Sequence, residues 1–69
     1  MSKIKITLNG ENYFTKENQS ISDLVKELNL DLEKIAIERN LEIISNNNFD
    51  STLIEESDKI EIVSFIGGG

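Results

Sequence analysis

Three of the four glycines in this 69-residue sequence stand together as Gly67, Gly68 and Gly69. At a background of about 7% glycine, a given triplet is all glycine with odds on the order of 3 in 10,000. A chain end of this kind is narrow and can adopt backbone angles closed to other residues, so it can enter a buried site on another protein. Three residues reach roughly 10 Å beyond the element before them. The chemistry this suggests is activation of the Gly69 carboxylate by a partner enzyme, with Gly67 and Gly68 as a slender spacer. A free carboxylate is a poor electrophile, so the activation must come from outside. The plainer alternative, a frayed end rich in the most permissive residue, stands beside it.

A second candidate precedes the glycines. In Lys59-Ile60-Glu61-Ile62-Val63-Ser64-Phe65-Ile66, the two-residue period of a strand puts Ile60 and Ile62 on one face and Glu61, Val63 and Phe65 on the other. Were that second face solvated, Val63 and Phe65 would form an apolar docking patch with Glu61 ready for a basic partner group. Scattered surface apolar residues or a covering loop would explain the same pattern. Asp50, Glu55, Glu56 and Asp58 lack the order of a calcium loop, so turn chemistry and solubility account for them, and no metal site is expected.

Composition narrows the chemistry further. There is no cysteine and no histidine, which removes the commonest nucleophile, the commonest general base and the usual zinc frameworks. A carboxylate pair needs a walled cleft that so short a chain can hardly build. Self-contained catalysis is therefore not expected, and the core must hold by packing alone. The net charge of −6, from 13 acidic and 7 basic residues, opposes nucleic acid and anionic membrane surfaces. The start, Met1-Ser2-Lys3-Ile4-Lys5, opens no continuous apolar region, so the expectation is a cytoplasmic protein without signal peptide or membrane span.

The elements that would position these residues can be read in order. Ile4, Ile6 and Leu8 alternate with Lys3, Lys5 and Thr7 as a first strand, and Asn9-Gly10 is suited to a tight hairpin turn into a second strand around Tyr13 and Phe14. Ser20 with Asp23 forms a capping box, and Ile21, Leu24, Val25 and Leu28 make one apolar helical stripe that Asn29 ends. Ile35 to Arg39 reads as a third strand, Asn40 as a turn and Leu41 to Ser45 as a fourth strand. Asn46 to Ser51 is a polar loop anchored by Phe49, with Leu53 and Ile54 packing nearby. A turn at Glu55 to Asp58 leads into the last strand, expected at the centre of the sheet. The result is an α+β domain over 1–66, with four to five strands in a mixed sheet and one main helix across one face, followed by the tail 67–69.

Taken together, these segments resemble the ubiquitin-like β-grasp sulfur carriers of the ThiS/MoaD type, and among them those of thiamine biosynthesis. The resemblance rests on Asn9-Gly10, on Ser20-Ile21-Ser22-Asp23-Leu24, on Ile37-Glu38-Arg39-Asn40-Leu41-Glu42-Ile43-Ile44 and on Asp58 through Gly69. It implies that the Gly69 carboxylate is adenylated with ATP by an E1-like adenylyltransferase and converted to a thiocarboxylate with sulfur from a cysteine desulfurase. Thiazole synthase would then take the sulfur, no cofactor being bound by the carrier itself. Val63 and Phe65 match the partner-facing side of the last strand. Ser57 departs from the pattern, where many members have glycine. The molybdopterin synthase small subunit and a ubiquitin-like protein modifier resemble the chain in the same tail, although no proline precedes the glycines here as it often does in the former.

Overall fold

The computed structural model describes residues 2–65. Ile4 and Ile6 bury their side chains from strand β1, Lys3–Leu8, while Lys3 and Lys5 stay in water. Asn9 and Gly10 then take φ values of 50° and 85°. Two successive left-handed residues give a turn whose twist matches the strands it joins, and β2, Glu11–Lys16, returns antiparallel from Leu8↔Glu11 to Lys3↔Lys16.

Helix α1, Ile21–Glu27, starts as the capping box requires. The Asp23 N–H donates to Ser20 Oγ at 3.1 Å, and the Ser20 N–H donates to the Asp23 carboxylate at 3.1 Å. Asn29, at φ 61°, turns the chain out of the helix. So short a helix is unstable alone; Ile21, Leu24 and Val25, all fully buried against the sheet, hold it with about 1.5–3 kcal/mol each. Ser22 Oγ donates to Asp50, tying the helix to the loop whose Phe49 is also in the core.

A 3-10 turn at Leu32–Lys34 leads to β3, Ile35–Arg39, and β4 is Glu42–Ile44. Here both boundaries of the expected fourth strand differ, since Ser45 caps the 3-10 turn Asn46–Asn48 that follows. Leu41 belongs to the turn with Asn40, at φ 73° and 52°, and not to the fourth strand. Left-handed backbone disfavours a residue with a branched side chain. Leu41 is three-quarters exposed, so its side chain offers no packing in return. Leu53 is likewise exposed, in a single bridge to Ser20, whereas Ile54 is buried.

Strand β5, Lys59–Ser64, lies at the centre of the sheet order β2-β1-β5-β3-β4. It runs parallel to β1 through Thr7↔Lys59 and Leu8↔Ile60, and antiparallel to β3 from Ile35↔Ser64 to Arg39↔Ile60. Ile60 and Ile62 complete the core beneath α1 with Ile4, Ile6, Ile35 and Ile37. One helix on one face leaves the other face of the sheet without a covering element among the described residues. The boundary drawn at 66/67 lies outside them.

Candidate functional site

Everything the sequence assigns to Gly67, Gly68 and Gly69 lies outside the described residues, as does Ile66. What the structure does show is the strand that leads to them. β5 is fixed at its start by Asp58, which is only 5% exposed. The carboxylate accepts from Arg39 Nε at 2.8 Å, from the Glu55 N–H at 2.8 Å and from Asn40 Nδ2 at 3.1 Å. Asn40 in turn brackets Lys59, accepting its N–H at 2.9 Å and donating its own to the Lys59 carbonyl at 2.7 Å. Burial alone would push the Asp58 carboxyl up, but the hydrogen bonds from Glu55, Arg39 and Asn40, with the Arg39 charge, outweigh it and hold the group below its ordinary value.

Solubility therefore does not explain Asp58, although turn chemistry does. The sequence reading missed its burial because the partners are distant in the chain. Its neighbour Ser57 stands at φ 71°, in the left-handed region that glycine enters most readily.

Farther along, β5 is held on the β1 side as far as the Ile62 N–H and on the β3 side as far as Phe65. The Ile62 N–H donates to Asn9 Oδ1 at 2.8 Å, and the Phe65 N–H donates to the Lys34 carbonyl at 2.6 Å. A strand tied in this way gives the residues after it a rigid root, which a loop would not.

The uncovered face carries the expected patch. Val63 is 60% exposed and Phe65 55%, while Glu61 is half-buried. The register adds residues that sequence reasoning did not single out. Glu61 lies directly opposite Glu38, and Glu38 opposite Ile43, which is 78% exposed. Alternation within Glu42-Ile43-Ile44 puts the two isoleucines on opposite faces, and the pairing of Ile44 with core residue Ile37 decides that Ile43 is the one turned outward.

Two carboxylates facing each other across a strand pair repel, which favours a cationic group on whatever covers them. The other half of the same face is basic. Lys3 pairs with Lys16, Lys5 with the exposed Phe14, and Lys59 adjoins Thr7. The face is thus divided into an acidic, apolar half on β3, β4 and β5 from Glu61 onward and a basic half on β1, β2 and the start of β5 at Lys59.

Chemically, such a surface can dock and orient. Among the described residues no group of three or more acidic side chains could hold a metal ion, and no helix is long and apolar enough to cross a membrane. Tyr13 donates to Glu27 at 2.5 Å, and that bond, with desolvation and the Glu27 charge, raises its pKa. It braces β2 against the helix on the face away from the patch.

Comparison with known proteins bears on the whole chain. A model of the ThiS family matches residues 6–69. A sulfur carrier protein ThiS from Bacillus subtilis is 35% identical over 65 residues, covering 93% of this chain and 98% of the relative. A thiazole synthase from Paramagnetospirillum magneticum is 39% identical over 66 residues, covering 96% of this chain but 20% of the relative. The chain thus spans about a fifth of that relative's length. The crystal structure of a thiamine biosynthesis protein (ThiS) from Geobacter metallireducens superposes with a TM-score of 0.82 at 28% identity, covering 96% of this chain and all of the other. The mixed sheet with one helix across it is therefore a β-grasp fold, as the sequence led us to expect.

Proposed function

The chain belongs to the ThiS family, and from that premise we propose that it is a sulfur carrier protein of thiamine biosynthesis, working in the cytoplasm as a cosubstrate and not as an enzyme. The reacting group is the Gly69 carboxylate. An E1-like adenylyltransferase joins it to the α-phosphate of ATP, releasing pyrophosphate and making AMP the leaving group. The terminal sulfur of a cysteine desulfurase persulfide displaces AMP to form an acyl disulfide, a thiol cleaves its S–S bond by exchange and ends as a disulfide, and the thiocarboxylate left on Gly69 gives its sulfur to thiazole synthase. The single observation that carries this reading is a family match continuous from β1 through residue 69, with Gly67, Gly68 and Gly69 inside it.

Thiazole synthase as partner draws support from the relative in which a stretch like this chain is one-fifth of a polypeptide of that name. Two functions on one chain meet at high effective concentration, an arrangement that serves groups acting in sequence. Docking falls to the half-face of Val63, Phe65, Glu61, Glu38 and Ile43, whose apolar rim and paired carboxylates suit a partner surface with apolar and cationic side chains.

The test is genetic. Deleting Gly68 and Gly69 in the source organism should create a requirement for added thiazole or thiamine. Growth without either would defeat the proposal, and a defect cured only by restoring molybdenum cofactor would place the carrier in a different pathway.

A further inference from the structure

Accounting for the backbone hydrogen bonds of β5 exposes a gap. Its odd-numbered residues face β3: Glu61 and Val63 pair with Glu38 and Ala36, and the Phe65 N–H reaches the Lys34 carbonyl. Even-numbered residues must therefore turn their N–H and C=O groups toward β1. There the Ile60 carbonyl accepts from the Asn9 N–H at 2.9 Å, and the Ile62 N–H finds Asn9 Oδ1. At that point the Asn9–Gly10 turn carries the chain away into β2.

Past the turn, the Ile62 carbonyl and the Ser64 N–H and carbonyl have no partner among the described residues. Ser64 is exposed. The central strand of the sheet thus becomes an edge strand over its last residues, on the side opposite β3. No proline or bulge blunts that edge, and an unguarded edge is a template for a further strand.

We propose that this half-edge is a strand-addition site, at which an extended segment of thiazole synthase pairs with Ile62 and Ser64 through two or three backbone hydrogen bonds. The inference rests on the functional reading above and deepens it. The added strand lies beside the backbone that leads to Gly67, so it sets the register of the glycines relative to the enzyme. Its extent is bounded by Asn9, whose side chain already occupies the next position. Its side chain on the uncovered face falls beside Val63 and is therefore apolar.

Ser64→Pro tests this directly. The substitution removes the one donor of the half-edge that has no partner among the described residues, leaves the hydrogen bonds to β3 intact and follows Val63, which is already extended. Calorimetric titration with thiazole synthase of the same organism should show affinity about tenfold weaker, since a partner carbonyl loses its donor. Ser64→Ala, which keeps the N–H, should bind as the wild type does.

Amide hydrogen exchange of the wild-type chain supplies a readout that does not depend on a variant folding: the Ser64 amide should exchange at least about tenfold more slowly in the complex than free. Wild-type binding with an unprotected Ser64 amide overturns strand addition alone. A wild-type chain with no affinity for the synthase defeats the functional reading, and this site with it.

Discussion

Asp58→Ala should destabilise the protein by about 3 kcal/mol, because it deletes the acceptor of three hydrogen bonds at one buried point. Bonds to a charged group contribute about 1.5–3 kcal/mol each. Arg39, 27% exposed, recovers part of its loss in water, and so does the exposed Asn40. The Glu55 N–H loses its carboxylate outright. For a chain of this length, whose total stability is about 3–10 kcal/mol, the loss is large.

Urea unfolding followed by far-ultraviolet circular dichroism measures it. With a slope of about 1 kcal/mol/M for so small a domain, the midpoint should fall by about 2–3 M with the slope unchanged. Acid gives a second signature. The folded carboxyl titrates below the unfolded one, so its contribution is complete above the unfolded value of about 3.9 and is lost as pH falls through the depressed folded value. The gap between wild type and variant should therefore shrink in acid. A loss under about 1 kcal/mol at neutral pH, or a gap undiminished in acid, would refute the reasoning.

Ser57→Gly relieves a left-handed backbone position and should raise stability by about 1 kcal/mol, or several degrees in thermal midpoint; an unchanged midpoint would show that φ 71° carries no strain. The protein has one tyrosine and no tryptophan, so tyrosinate absorbance reports Tyr13 alone. It should titrate above the ordinary value of about 10, and Glu27→Gln should bring it back down, which an unmoved titration would contradict. Phe65→Ala, more than half exposed, should leave the urea midpoint in place yet weaken binding to the adenylating enzyme or thiazole synthase by about 1–3 kcal/mol. Equal binding would remove Phe65 from the interface.

Where signal and cause lay close together in the chain, the fold could be read in advance. Asn9-Gly10, Ser20 with Asp23, Asn29 and the alternation of Ile60 and Ile62 each act within a few residues, and each appears in the structure as expected. What depends on distant partners was not legible. Asp58 looks like any turn aspartate until Arg39 and Asn40 are brought to it from β3 and the turn after it. Ile43 looks like another core isoleucine until its register against Glu38 turns it outward. Leu41 defies the local rule, since nothing in its type foretells left-handed backbone. Of the candidate site, Val63, Phe65 and Glu61 were legible because period alone fixes their face. The open edge at Ser64 was not, because it depends on where β1 ends beside β5.

The central claim is that Gly69 carries sulfur, and intact-mass spectrometry of the affinity-purified chain from thiamine-starved cells of the source organism tests it most directly. The account predicts a fraction whose mass has risen by the exchange of one oxygen for one sulfur, located by fragmentation at Gly69, and lost when the adenylating enzyme is deleted. Unmodified Gly69 throughout, or a chain joined through Gly69 to other proteins with no thiocarboxylate present, would contradict it.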